Sequence, residues 1–444
     1  MRIGLFTDTY RPSINGIVYV VESLKKHLEA EGHEVFIFCP ARSIRRSQHA
    51  LEFEEDEHVI RFPSIKGAFY DDYDTSLFFP PRVLSQVREL NLDVIHFFTP
   101  GQVGLMGVYA AHKTDTPLIA QHCTDLREYV EHYRDGLLLP GLLALIALFP
   151  FTVKVNGKDI REIMRLYRPR RGRVQWNIDI VEKMVTLVYS KCDGVIALSR
   201  KSKAQLESWQ RDDNYKYEVT LMPNGVDRLP IPKKKQVTEF QDIYHIHSDD
   251  EVIGFVGRLG SEKNLAVLIP ALEQVVKTRP KARLLFVGDF EFRETLEKMA
   301  AASSCPDRIT FTGALPRETL GMVYASMDVF VFPSLTDTQG WAIHEAAHAG
   351  LPLVLVDTEL SEVMTPGHNG LYANNSAESL AKAITELLED PERRQAYGKE
   401  SQRLARTFTE ESQVRKLVKF YEQAISSHQP QSGSRLRSFL RERE

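Results

Sequence analysis

The sequence predicts an α/β protein made of two doubly wound domains in tandem. Three observations carry this. Short apolar runs alternate with amphipathic stretches of helical period along most of the chain. The alternation restarts after the turn Pro223-Asn224-Gly225-Val226-Asp227. The length, 444 residues, suits two or three ordinary domains, and two is the simplest division. The strand candidates are continuously apolar rather than alternating, which points to parallel sheets covered on both faces.

Ile3–Thr7 is the first such run. The turn-rich stretch Asp8 to Gly16 follows it, and then an amphipathic helix over Ile17–Glu31 with Val20, Val21, Leu24 and Leu28 on one face. Gly32-His33 ends that helix and Glu34–Cys39 returns as a strand, completing a βαβ unit. Further strands are expected at Val94–Phe98, Leu118–Gln121 and Val195–Leu198. Residues 228–248, rich in Pro, Lys and His, read as a linker. The second series runs Val252–Val256, Leu284–Val287, Ile309–Thr312, Val329–Phe332 and Leu353–Val356, with helices over 264–278, 292–302, 341–349, 376–389 and 409–425. The expected division is an N-terminal domain over 1–225, a C-terminal domain over 226–408, a helix over 409–425 returning to the N-terminal domain, and a polar then basic tail over 426–444.

Composition excludes several classes of function. A hydrophobic fraction of 43% and a charged fraction of 26% exclude wholesale disorder. Lys+Arg of 56 against Asp+Glu of 60 gives a net charge of −4, which argues against a dedicated nucleic-acid binder. The four cysteines, Cys39, Cys123, Cys192 and Cys305, are scattered and form no C-x-x-C pair, so buried free thiols are expected rather than a zinc site or a disulfide framework. Met1–Phe6 runs straight into turn residues, so no secretory signal is expected. No run of about 20 apolar residues offers a spanning helix.

Doubly wound sheets place ligands at the carboxyl ends of their strands. In the first half that position holds Gly16 and His122. Gly16 opens a helix, where its backbone can approach a phosphate; it reads equally as a plain Asn-Gly turn. In the second half, Arg258 and Lys263 flank a glycine-containing loop between a buried strand and a helix. They suit a diphosphate, or else they are solvated loop charges. Asp337 and Glu345 lie eight positions apart, one in the loop before the helix that opens at Gly340 and the other on its second turn. The amides from Gly340 through Trp341 to Ala342 can meet a phosphate or a sugar hydroxyl, and Glu345 can accept from a diol. The bland alternative makes Asp337 a helix cap and Glu345 half of a structural ion pair. Asp71-Asp72-Tyr73-Asp74 reads as a solvated acidic turn.

In order, the Asn-Gly-x-x-x-x-Val opening, G-R-L-x-x-E-K-N at 257–264, and the carboxylate-x7-carboxylate motif running into E-A-A-x-A-G-L-P resemble the retaining glycosyltransferases of family 4 over nearly the whole chain. Within that family the order of elements is similar to bacterial membrane glycolipid synthases that act on diacylglycerol or phosphatidylinositol. The resemblance implies the GT-B fold, two Rossmann-like domains facing across a cleft. It implies that Arg258 and Lys263 hold the donor diphosphate, that Glu345 binds the donor ribose, and that Asp337 contacts hydroxyls of the transferred sugar. It further implies that the Gly16 loop closes over the donor and that His122 lies near the reacting carbon. Base contacts are expected along Gly313–Leu315, with Leu315 among them. The family usually has Glu where this chain has Asp337, a side chain one methylene shorter. No cofactor and no metal are implied, because fixed cations and a helix start stabilise the leaving diphosphate.

The acceptor is addressed by one segment. Leu137–Val153, which includes Leu142, Leu145 and Phe149, is seventeen residues without a charge and is broken by Pro140, Gly141 and Pro150. Arg161–Arg173 then holds six arginines, Arg161, Arg165, Arg168, Arg170, Arg171 and Arg173. An apolar element beside an arginine cluster fits an insertion at about 137–173 that seats on an anionic membrane; a buried helix followed by a solvated basic loop is the alternative. Arg435–Arg443 is a second basic amphipathic candidate. The expected protein is therefore a cytoplasmic enzyme, peripheral to the inner face of the membrane, that moves a hexose from a nucleotide sugar (a UDP-sugar, or else GDP-mannose) to a lipid hydroxyl. Two rivals stand beside this: the same chemistry on a soluble glycan or small acceptor, and a non-catalytic sugar-binding protein on the same fold.

Overall fold

The structure, a computed structural model, describes residues 1–13, 15–41, 56–62, 64–66, 74–76, 81–98, 100–124, 161, 173–210 and 215–428. The chain divides into two compact units, Met1–Met222 with Gln413–Glu444, and Pro223–Ser412.

The first unit is built on a sheet of seven parallel strands: β1 (Arg2–Phe6), β2 (Glu34–Pro40), β3 (Val59–Phe62), β6 (Val94–Phe97), β7 (Leu118–His122), β8 (Gly194–Ala197) and β9 (Val219–Leu221). A short antiparallel pair, β4 (Ser64–Lys66) and β5 (Asp74–Ser76), stands apart from it. The spatial order is β3-β2-β1-β6-β7-β8-β9, so the winding reverses between β1 and β6, in the register Ile3↔Val94. The strands are buried almost end to end, as parallel strands covered on both faces must be. The Gly16–Ala30 helix buries Val18, Val20, Val21, Leu24 and Leu28, and Asn15 caps it by accepting from the amides of Ile17 and Val18.

The helix Glu410–Ser427 ends in this unit. The phenol of Tyr421 lies 2.6 Å from His96 Nδ1, and both residues are buried. Burial pushes His96 down to about 3, so its ring is neutral. The ring of Phe420 fills the space over Gly194, where an added Cβ would lie 2.5 Å away. Past the helix, His428 sits 2.8 Å from Asp193 and 3.7 Å from Asp115.

The second unit carries six parallel strands: β10 (Glu251–Val256), β11 (Ala282–Val287), β12 (Ile309–Phe311), β13 (Val329–Phe332), β14 (Leu353–Leu355) and β15 (Gly370–Tyr372), in the order β12-β11-β10-β13-β14-β15. Its winding reverses between β10 and β13, paired as Ile253↔Val329. One apolar core runs through it, with Phe255, Phe286 and Phe330 fully buried.

The main departures from expectation have local causes. Within the stretch read as a linker, Lys234–Ile243 is a helix: the amide of Lys233 donates to Gln236 Oε1 at 2.8 Å at its start, and Phe240 anchors it in the core. The helix expected over 264–278 is shorter, Leu268–Val275. Asn264 takes a left-handed conformation (φ 57°) and donates its amide to Pro333 O and to Asn375; it separates the 3-10 turn Ser261–Lys263 from a second one, Leu265–Val267, which runs into the helix proper. Pro391–Ala405, a helix capped by Asp390, was not expected, because its exposed face is charged nearly throughout. Of the cysteines only Cys39 is buried; Cys123, Cys192 and Cys305 are partly exposed, and no disulfide joins any of the four.

Two outcomes test how the last helix is held. Tyr421→Phe leaves a buried imidazole nitrogen unpaired and is expected to cost about 1–3 kcal/mol in urea unfolding. His428 titrates above its ordinary value of 6.5, chiefly because Asp193 accepts from it. The stability it supplies is therefore complete below pH 6.5 and lost as pH rises through the elevated value. The advantage of wild type over His428→Gln should be largest at mildly acidic pH and absent in alkaline solution, as measured by unfolding midpoints.

Candidate active site

The carboxyl ends of β10 and β13 flank the point where the second sheet reverses, and the loops leaving them carry the charged motifs. Lys263, on the 3-10 turn Ser261–Lys263, donates from Nζ to Asp337 Oδ1 at 2.7 Å. Their side chains are only 13% and 19% exposed, so the pair is largely withdrawn from solvent. Burial pushes the Asp337 carboxyl up, but the Lys263 ammonium, with help from Arg258, outweighs it and holds the group below the usual carboxylate range. Among the described residues, Asp337 Oδ2 makes no hydrogen bond. Arg258 is the exposed member. Its guanidinium lies 4.7 Å from the Phe290 ring and 3.5 Å from Glu262, a loose ion pair.

Gly340 precedes the Trp341–Ala349 helix in a left-handed conformation (φ 70°), and a Cβ there would lie 2.6 Å from Ile343 Cδ1. No side chain caps this helix start, so the amides of Trp341 and Ala342 stay directed out of it. An exposed guanidinium, a part-buried ammonium and an uncapped helix start are groups whose chemistry can meet an anion such as a diphosphate.

Glu345, one turn into that helix, is 4% exposed, and two donors hold it: Arg317 Nη1 at 2.6 Å from Oε1 and the Tyr324 hydroxyl at 2.8 Å from Oε2. Burial raises its carboxyl, and Arg317, Tyr324 and the nearby Trp341 side chain pull the other way without cancelling the rise, although the indole N–H of Trp341 makes no hydrogen bond among the described residues. Gln339, between Asp337 and Gly340, bonds the backbone of Asn224 in both directions, accepting from its N–H at 3.0 Å and donating to its C=O at 2.8 Å. Arg317, Tyr324 and Gln339 escaped the sequence reading. Arg317 stands 28 positions before Glu345, and no periodicity links the two. Leu315 is partly buried and packs against the core.

In the first unit, His122 ends β7, is buried, and has Nδ1 3.0 Å from the Tyr189 hydroxyl, with the rings of Tyr189 and Trp209 edge-on to it. Gly16 is exposed at its helix start, and a Cβ added there would meet nothing within 4 Å, so its own surroundings do not require glycine. Asp8, unremarked in the sequence, follows β1. It accepts from the amide of Val103 at 2.7 Å at the start of the Gln102–Thr114 helix, and burial pushes it up to about 6. Its carboxylate occupies the place where a Cβ on Gly101 would lie. Leu142, Leu145, Phe149, Arg165, Arg168, Arg170, Arg171 and the residues Asp71 to Tyr73 lie outside the described residues. Arg173 opens the helix Arg173–Tyr189. Among the described residues, no helix is long and apolar enough to cross a membrane.

Comparison with known proteins gives two adjoining family matches. A model described as Glycosyltransferase Family 4 matches residues 14–228, and one described as Glycosyl transferases group 1 matches residues 236–404. The chain is 29% identical over 404 residues to an alpha-monoglucosyldiacylglycerol synthase of Acholeplasma laidlawii, covering 88% of this chain and 89% of the relative. It is 30% identical over 396 residues to an uncharacterized glycosyltransferase of Methanocaldococcus jannaschii, covering 88% and 90%. Among solved structures, sucrose-phosphate synthase from Thermosynechococcus elongatus superposes with a TM-score of 0.67 at 18% identity, covering 96% of this chain and 99% of that one. With two sheets that are parallel throughout and each wound in both directions, this likeness gives the GT-B fold.

Lys263→Met removes the main force holding Asp337 down and leaves its burial. The Asp337 carboxyl should then titrate distinctly higher than in wild type, as read by carboxyl-carbon NMR. An unmoved titration would mean that the pair does not persist in solution.

Proposed function

The chain belongs to the family 4, group 1 glycosyltransferases, and from that premise we propose that it moves a hexose from a nucleotide sugar, with a UDP-sugar favoured, to the hydroxyl of a membrane lipid such as diacylglycerol, retaining the anomeric configuration. The observation that carries the donor half is the Lys263–Asp337 pair beside Arg258 at the reversal of the second sheet. The lipid half is supported by the similarity to an alpha-monoglucosyldiacylglycerol synthase and by the uncharged Leu137–Val153 stretch beside the arginine cluster.

In this reading the donor diphosphate replaces part of Asp337's hold on Lys263. As the bond between the sugar and the diphosphate breaks, negative charge grows on the leaving oxygen. Lys263, Arg258 and the amides at Trp341 and Ala342 are already in place to receive it, so little reorganisation is needed. Asp337 keeps Oδ1 on the ammonium while Oδ2 accepts from a sugar hydroxyl, which fixes the ring against the diphosphate. The acceptor oxygen bonds the anomeric carbon on the face from which the diphosphate departs and gives its proton to the leaving phosphate oxygen, and this same-face exchange is how configuration is retained. His122 serves as an oriented hydrogen-bond partner for sugar and transition state, steadied by Tyr189. Protein cations supply the positive charge, so the proposal includes no metal and no cofactor. The enzyme works at the cytoplasmic face of the membrane as a peripheral protein.

Three measurements test this. Thermal-shift screening of UDP-, GDP- and ADP-sugars should give a clear rise in melting temperature with one of them, since a ligand at 100 times its Kd adds about 2.7 kcal/mol. Absence of any response would overturn the donor reading. Lys263→Ala should lose about 2–3 kcal/mol of transition-state stabilisation, roughly 30- to 160-fold in kcat/KM. Flotation with anionic vesicles should carry the protein upward, and replacing Arg165, Arg168, Arg170 and Arg171 with Gln should weaken it. A protein that stays down, with transfer to a soluble sugar, would replace the lipid by a soluble acceptor.

A further inference from the structure

Glu345 is held by two residues that no motif of the chain announces, and their geometry is more specific than a buried charge needs. Arg317 sits on the 3-10 turn Arg317–Thr319 after β12, its guanidinium 5.8 Å from the Trp341 ring and its side chain 29% exposed. Tyr324 reaches the same carboxylate from the Leu320–Ala325 helix and is itself fully buried, as a phenol that stays protonated. Each donor takes a different oxygen, Oε1 for Arg317 and Oε2 for Tyr324.

We propose that Arg317 is a positioning residue for donor binding: with Tyr324 it aims the Glu345 carboxylate so that each oxygen keeps one acceptor direction for one hydroxyl of a vicinal diol. An ionised carboxylate offers about four acceptor directions, and these two donors occupy one on each oxygen. The two directions left are a matched pair, which is the pattern presented by the 2′ and 3′ hydroxyls of a ribose. Arg317 also supplies the opposite charge that favours the ionised carboxylate against the burial that opposes it. Trp341 stands beside the guanidinium and restricts its movement, so the aim is set before a nucleotide arrives. This rests on the reading of Glu345 as the ribose ligand.

The test measures nucleoside diphosphate affinity by calorimetry, using UDP with 2′-deoxy-UDP and, in parallel, GDP with 2′-deoxy-GDP. In wild type the ribonucleotide of the recognised base should bind better than its deoxy form. In Arg317→Gln the ribonucleotide should weaken by about tenfold or more, and the ratio of ribo to deoxy affinity should fall to within about twofold of unity. Arg317→Lys, which keeps the charge, should recover part of both. A ratio unchanged in Arg317→Gln, with melting temperature close to wild type, overturns the positioning role while leaving the donor reading intact. Should Arg317→Gln prove unstable, Tyr324→Phe supplies the second measurement, with a smaller fall in the same ratio expected and no fall counting against the proposal. If Glu345→Gln leaves the ratio unchanged, the ribose reading beneath the proposal fails; if neither ribonucleotide binds wild type, the donor reading fails, and the proposal falls with it.

Discussion

Two parallel strands lying side by side, β10 and β13, are the constraint on which the second unit depends. Residues leaving the carboxyl end of one strand and those leaving its neighbour emerge on the same edge, so an ammonium and a carboxylate 74 positions apart come within 2.7 Å. Moving either strand elsewhere in the order would part them. The sheet order thus does chemical work that no local segment can do, because it concentrates opposite charges at one edge of an otherwise apolar core.

The two motif carboxylates then diverge through their surroundings. Asp337 faces an ammonium at close range, and that charge overcomes the cost of burial, so the group ionises more readily than an ordinary carboxyl. Glu345 is more deeply enclosed, and its Arg and Tyr partners only moderate the burial. One carboxylate is governed by its counter-ion and the other by its enclosure. Asp8 in the first unit belongs with the second kind: burial raises it despite the amides at the start of the Gln102–Thr114 helix. Each buried charge is met by directed donors, as a low-dielectric position demands.

How much of this was legible in the sequence follows from what kind of signal each part leaves. The long apolar strands and the helix over 341–349 could be read because burial on both faces leaves an unbroken run and because a glycine marks the helix start. Arg258, Lys263 and Asp337 could be named because they fall in the loops where strands end, and Glu345 because it lies on the helix that the last of those loops opens into. What the side chains do there could not be read. The pairing of Lys263 with Asp337 is a consequence of sheet order, and Arg317 is half-buried, carries no motif around it and is distant in sequence from its partner. Short strands such as β9 and β15 leave too few residues for a period to show. The helix Lys234–Ile243 was hidden because Phe240 is the single buried residue of a segment whose lysines suggest solvent.

Gln339 explains how the loop bearing Asp337 is kept in place when its neighbours are glycine and short polar residues. Such a loop has many conformations open to it, and an ion pair to a flexible lysine does not by itself select one. Gln339 is buried and bonds both the N–H and the C=O of Asn224, a two-point attachment that fixes direction as well as distance. On the far end of the Trp341–Ala349 helix, His348 Nε2 lies 2.6 Å from the carbonyl of Val226; burial lowers its tendency to protonate, and the carbonyl, which only accepts, places the proton of the neutral ring on Nε2. The turn at 224–226 is therefore tied to both ends of the helix that carries Glu345. Asp337 is two residues from one of those ties, so the position of its carboxylate is set by the backbone that opens the second unit as much as by Lys263.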